Sequence, residues 1–171
     1  MAYIENYRYY TIDEILKDIP ENKQPLLLML DGLEDPHNLG AIIRTVEASG
    51  IDGIILPKDR SVSVNETVMK TSVGALYNVK ICQVVNLNQT IKKLKSLGYW
   101  IIGTDMNGSD YQDFNYPKKM ALVIGSEGFG MSRLIKEACD YVVSIPMNGK
   151  INSLNASVAT GIMIYELIRK R

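Results

Sequence analysis

Three polar clusters in this sequence hold side chains able to do chemistry. Pro146-Met-Asn-Gly-Lys-Ile-Asn-Ser-Leu-Asn155 carries Asn148, Asn152, Ser153 and Asn155. A helix start needs one such side chain as a cap. The remaining amides and hydroxyl suit a polar, uncharged partner such as an adenine edge or ribose hydroxyls. Gly125-Ser-Glu-Gly-Phe-Gly130 places three glycines in six residues. That lets the backbone turn tightly and approach a ligand closely, although a plain Gly-rich turn has the same composition. Asp35-Pro-His-Asn-Leu-Gly40 opens a helical stretch with Asn38 as its natural N-cap, and Arg44 follows among Ile42, Ile43 and Val46. An arginine on a largely apolar helix snorkels, pairs with a carboxylate or awaits an anion. A salt bridge to Asp31, Asp35 or Glu47 is as good a reading as an anion site.

Other chemistries find no footing. There is no G-x-G-x-x-G after a strand and no G-x-x-x-x-G-K-[ST], so the dinucleotide fingerprint and the P-loop are both missing. Ile124 stands where G-x-S-x-G needs its first glycine, and the single histidine, His37, has no serine and aspartate placed for a triad. His37 reads as a packing or hydrogen-bonding residue at a helix entry. Cys82 and Cys139 are far apart, with no Cys/His cluster; a metal site is not expected, and the lone thiols fit a reducing cytoplasm. The chain has 171 residues, 46% hydrophobic and 22% charged, with 19 basic and 19 acidic side chains. Zero net charge excludes a histone-like basic coat and an acidic tail, though not a local basic patch. No apolar run nears the ~20 residues of a membrane span, and the opening residues lack the basic-then-apolar pattern of a secretory leader.

These clusters sit at joints of an alternating strand and helix pattern. Leu26–Leu30, Gly53–Leu56, Tyr99–Gly103, Met120–Ile124 and Tyr141–Ile145 are short apolar runs, and Asn78–Val85 alternates. Runs of this length without polar interruption predict strands buried on both faces. Leu39–Ser49, Leu87–Leu97, Met131–Ala138 and Asn155–Arg169 have helical spacing, Asn65–Leu76 weakly so. Residues 105–119 read as a polar loop. Together they predict an α/β domain, with a mainly parallel sheet covered by helices on both faces. Ligands of such sheets bind beyond the carboxyl ends of the strands, where the loops starting at Asp31, Thr104, Gly125 and Pro146 lie. Residues 1–25 differ: tyrosines at 3, 7, 9 and 10 precede a short helix capped by Thr11 and Glu14 and stopped by Pro20. They read as a docking arm or linker, and residues 26–171 as the functional domain.

DPHNLGAIIRTVEASG, LVIGSEGFGMS and IPMNGKINSLNASVATGIMIYE resemble motifs 1, 2 and 3 of the SpoU/TrmH RNA 2′-O-ribose methyltransferases of the SPOUT superfamily. The likeness runs in order from about Leu26 to the C-terminus. ILPKDRSVSVNETVMKTSVGA and the loop near Thr104 resemble the branch that methylates a guanosine of large-subunit ribosomal RNA. The resemblance implies a deep C-terminal trefoil knot, a feature very rare among folds that periodicity does not reveal. It implies S-adenosyl-L-methionine as cofactor, held by Thr104, Gly125, Glu127, Ile145, Met147, Ser153, Leu154 and Asn155. It implies a catalytic set of Asn38, Arg44, Glu127, Ser153 and Asn155. It implies RNA as partner, and a homodimer in which Arg44 serves cofactor held by the other chain. Relatives of the rRNA branch carry an N-terminal RNA-binding domain; YRYYTIDEILKDI resembles the linker that follows it, so this sequence is expected to be a catalytic fragment or a minimal form.

The implied chemistry fits the residues. A ribose 2′-OH is a weak acid and a weak nucleophile, while a sulfonium methyl is already activated, so alignment and proton removal are the protein's task. A guanidinium with pKa above ~12 is a poor base; Arg44 gripping an RNA phosphate and stabilising the developing alkoxide is the better role. Asn38 would orient Arg44 or the ribose, and Glu127 would bind substrate or close its loop and favour a cationic cofactor. Ser153 and Asn155 would fix the third loop. Phosphate neutralisation has only scattered candidates: Lys58, Arg60, Lys70, Lys150, Arg169, Lys170 and Arg171. Three other readings compete. One is a tRNA ribose 2′-O-methyltransferase, and another a non-catalytic RNA-binding or ribosome-assembly module of the same fold. The third is an NAD-dependent oxidoreductase, disfavoured by the missing fingerprint.

Overall fold

Six parallel strands form one sheet in the computed structural model, which describes residues 7–171. The first six residues, Tyr3 of the expected arm among them, lie outside the described residues. The strands are β1 (Leu26–Asp31), β2 (Gly53–Pro57), β3 (Ile81–Val84), β4 (Trp100–Asp110), β5 (Met120–Gly125) and β6 (Tyr141–Ser144). Their order is β3-β2-β1-β5-β4-β6, and every pairing is parallel. The expected α/β architecture is therefore present.

Alternate residues of each central strand enter different cores. Leu26, Leu28 and Leu30 of β1 join Ile54, Leu122 and Ile102 on one face; Leu27 and Met29 join Ile55, Ala121, Val123 and Ile101 on the other. All are buried. Two dry faces explain why these strands read as unbroken apolar runs. Each fully buried Leu or Ile stabilises the fold by roughly 1.5–3 kcal/mol relative to exposure.

Helices α2 (Pro36–Ser49) and α6 (Ala156–Arg169) pack together on the first face. There α3 (Glu66–Thr71) meets α2 so closely that a Cβ on Gly40 would lie 1.7 Å from Thr71 Oγ1. Helices α4 (Leu87–Ser96) and α5 (Arg133–Ala138) cover the second face through Ile91, Leu94 and Ile135. The N-terminal helix α1 (Ile12–Lys17) has the expected Thr11/Glu14 capping box. Its Ile15 is buried in the second core, and Tyr10 N–H donates to the Ile81 carbonyl at 2.8 Å.

Several boundaries differ from expectation, three of them near the site or the strand ends. Asp35, not Asn38, caps α2: its carboxylate accepts from His37 N–H at 2.8 Å, and Pro36 occupies the first turn. Proline is pre-set for that position, which moves the helix start three residues upstream and frees Asn38. β3 begins at Ile81 because residues 75–78 wind into a 3₁₀ turn. β4 runs to Asp110 through what reads as a loop. Val143 of β6 pairs with both Thr104 and Ser109, so residues 105–108 bulge out between the two pairings. Gly108 permits this, since a Cβ there would sit 2.6 Å from the Val143 carbonyl carbon.

Candidate active site

The bulge of β4 and the loops after β5 and β6 wall a cleft of about 750 Å³. This size is ordinary for a cofactor site. Thr104, Gly125, Glu127, Ile145, Met147, Ser153 and Leu154 all line it, so seven of the eight residues expected at the cofactor converge from four points along the chain. Thr104 anchors its own loop, its hydroxyl donating to the Val123 carbonyl at 3.1 Å. Ser153 is exposed on the wall.

The β5 loop is a locked turn. Ser126 and Gly130 exchange backbone hydrogen bonds of 3.1 and 2.9 Å, and Gly128 and Gly130 hold φ of 88° and 67°. A Cβ on Gly125 would lie 2.1 Å from the Gly130 carbonyl carbon and 2.2 Å from Met131 N. Only glycine fits there, and it brings bare backbone to the cleft.

Glu127 ties the three motifs together. Its Oε1 accepts from Asn38 Nδ2 at 2.8 Å, from Asn155 Nδ2 at 3.1 Å and from Ala156 N–H at 3.0 Å. Asn155 Nδ2 also reaches Asn38 Oδ1 at 3.0 Å. Asn155 Oδ1 caps α6 by accepting from the N–H groups of Ser157 and Val158. A carboxylate at the start of a 14-residue helix is favoured by the helix dipole and the open N–H groups. Asn155 does not line the cleft; its amide is spent on the cap and on Glu127. Asn38 is 5% exposed, so it works as a buried strut under the turn.

Arg44 lies elsewhere. It is exposed on α2, and none of the ion pairs among the described residues includes it. The salt bridges to Asp31, Asp35 or Glu47 are not formed: Asp31 instead accepts from Ser132 N–H at 2.7 Å. Arg44 lines a second groove of about 720 Å³ with Thr45, Val73, Asn78 and Tyr165. Val73 is left-handed there, at φ 52°, a strained state for a β-branched residue.

Several cleft residues escape a reading by sequence. Asp105, Met106 and Asn107 line it because the β4 bulge throws them outward; the glycine at 108 is the one local hint. Asp105 pairs with Lys136 at 3.1 Å, and its carboxyl is held below the usual range, first by Asn107 N–H and then by Lys136. Phe129 and Ile151 also line the cleft while exposed. His37 is exposed, and its backbone N–H rather than its ring makes the helix-entry bond. The thiols pack: burial pushes Cys82 up to about 11 and Cys139 up to about 12. Of the scattered cations, Lys70 pairs with Glu66, and Arg169 and Lys170 with Glu166.

A parallel sheet with a glycine-built cleft at one end defines an α/β domain made to hold a small organic cofactor on its backbone. Residues 25–165 match the model of the SpoU rRNA Methylase family, and the chain belongs to that family. It is 51% identical over 172 residues to a protein of Staphylococcus saprophyticus assigned to the TrmH family of tRNA/rRNA methyltransferases, covering 99% of this chain and 69% of that one. It superposes with a TM-score of 0.82 and 30% identity on the SpoU methyltransferase AviRb of Streptomyces viridochromogenes in complex with AdoMet, over 91% of this chain and 61% of that one. It is also similar to a crystal structure of an RNA 2′-O ribose methyltransferase, with a TM-score of 0.78 and 26% identity over 91% of this chain and 60% of the other. The chain thus spans between 60% and 69% of these relatives' lengths.

Proposed function

We propose that this chain is a catalytic domain that transfers methyl from S-adenosylmethionine to a ribose 2′-hydroxyl of RNA, most specifically a guanosine of large-subunit ribosomal RNA. The observation carrying this reading is the gathering of Thr104, Gly125, Glu127, Ile145, Met147, Ser153 and Leu154 around one cleft. The residues fit the cofactor. Gly125, whose Cβ position is filled by the Gly130–Met131 backbone, keeps the turn tight against the cleft, and Ile124, Ile145, Met147 and Leu154 give apolar wall for an adenine face. Bound there, S-adenosylmethionine supplies an activated methyl on a sulfonium.

The chain's own residues do the rest. Gly125, Gly128 and the loop 145–154 hold the donor by backbone groups, and Ser153 offers a free hydroxyl at the wall. Glu127, Asn38 and Asn155 keep the second and third loops in register. This reading assigns Glu127 a positioning role, because one oxygen already accepts three N–H donors. Arg44, exposed and without a carboxylate partner among the described residues, grips an RNA phosphate by a bidentate pair. From there it steadies the alkoxide that forms as the 2′-proton passes to an oxygen of that phosphate.

Arg44 and the cleft open in separate cavities of one chain. That separation supports a site completed by two copies, with Arg44 of one serving the cleft of the other. The return of the chain from edge strand β6 through residues 145–155 to α6, packed on α2 and β5, is compatible with a trefoil knot. The test is Arg44→Ala. Methyl transfer to RNA from a strain lacking the gene should fall at least a hundredfold while calorimetric S-adenosylmethionine binding persists. Loss of both makes Arg44 structural, and a wild-type chain that binds no cofactor favours the passive RNA-binding module. Mapping 2′-O-methyl groups in that strain's rRNA and tRNA names the substrate.

A further inference from the structure

Phe129 is 95% exposed, the most exposed of the large apolar side chains among the described residues. It stands at the tip of the β5 turn, between two glycines in left-handed conformation, with the turn closed by the Ser126–Gly130 backbone pair. A phenyl ring left in water by a mobile loop is ordinary surface. One held out by a locked turn, on the lip of a cleft, is placed. Met106, 65% exposed, and Ile151, 74% exposed, line the same cleft, so all three bordering loops offer an apolar side chain to solvent. Clustered apolar exposure at a cleft marks a binding surface.

We infer that Phe129 is a substrate-binding residue, whose ring stacks on the nucleobase attached to the acceptor ribose. This rests on the function proposed above. Transfer requires the 2′-oxygen to come within about 3–3.5 Å of the methyl carbon. With the donor in the floor of the cleft, the lip is the surface left for the base on that ribose. Ring exposure of 95% means that Phe129 covers nothing in its own chain, so its faces are available to a planar partner. Every base has a π-face, and aromatic side chains bind single-stranded nucleic acid by stacking on it. The turn fixes the backbone at Phe129 beforehand, so only the side-chain torsions are left to order on binding. Met106 and Ile151 flank the base and exclude water.

The experiment compares the full chain with Phe129→Ala, Phe129→Leu and Phe129→Trp. The probe is total rRNA and tRNA from a strain lacking the gene, with labelled S-adenosylmethionine; cofactor affinity is measured separately by calorimetry. Phe129→Ala should lower kcat/KM for RNA by about 5- to 150-fold, the loss of one base–aromatic stack. Its loss in kcat/KM should exceed any loss of cofactor affinity severalfold, and its thermal midpoint should stay unchanged, since Phe129 is 95% exposed. Phe129→Trp should restore activity and Phe129→Leu should not. Leu restoring as well as Trp overturns stacking, and parallel loss of cofactor affinity makes Phe129 a cofactor lid instead. An unsubstituted chain that binds no cofactor, or transfers no methyl to either RNA, counts against the proposed function; an unaltered Phe129→Ala in a working assay counts against this residue alone.

Discussion

Gly125 and Glu127 lie two residues apart in one turn and meet opposite demands. Gly125 must be absent as a side chain, because a Cβ would stand 2.1 Å from the Gly130 carbonyl carbon. Glu127 must be present, because one of its oxygens collects N–H donors from Asn38, Asn155 and Ala156. Gly125→Ala should force the turn open, cost about 1–3 kcal/mol as overpacking does, and weaken S-adenosylmethionine binding at least tenfold. Calorimetry and thermal unfolding measure the two effects; binding at wild-type strength would mean that the cofactor sits elsewhere. The glycine pattern was legible in the sequence. The partners of Glu127 were not, since they come from residues 89 and 28 positions away.

At the scale of elements, helix α6 begins where the third motif ends, and Asn155 serves both. Its Oδ1 caps the helix and its Nδ2 bonds Asn38 and Glu127. Asn155→Ala removes both functions and should cost about 1 kcal/mol, a shift of roughly 2–4 °C in thermal midpoint for a domain of this size. Asn155→Ser keeps a capping oxygen but is too short to span to Asn38. Its midpoint should stay near wild type while methyl transfer falls. Equal destabilisation of both variants would show that the strut, rather than the cap, holds the helix start. The sequence placed strands and helices well wherever burial is continuous, as in Leu26–Leu30 and Met120–Ile124. It missed the second half of β4, whose residues 105–110 are mostly polar and partly exposed. Pairing of Ser109 and Asp110 with β6 resumes the strand beyond the bulge, and pairing leaves no mark on side-chain pattern. It also put the start of α2 at Asn38, because Asn38 and Asp35 are both capping types and only Pro36 separates the choices.

For the whole molecule, the proposed two-copy site, with Arg44 of one chain serving the cleft of the other, is tested by mixing variants. Chains carrying Arg44→Ala and chains carrying Gly125→Ala should each be inactive. Mixed and allowed to exchange, they should regain methyl transfer, up to about half of the wild-type rate per mixed pair, because one of two shared sites keeps an intact Arg44 and an intact turn. Radiolabelled transfer after mixing measures this, and silence at every ratio would place Arg44 and cleft within one chain. The sequence by itself determined the α/β class, the two buried faces of the sheet, the three polar loops and the family likeness, because each is written in side-chain types at fixed local spacing. Tertiary structure alone decided that Asn38 is a strut and not a cap, that Arg44 joins none of the ion pairs among the described residues, that Asn155 faces the helix start and that Phe129 stands in water. Those outcomes depend on distances between residues remote along the chain, set by strand register and helix packing, and no local pattern encodes them.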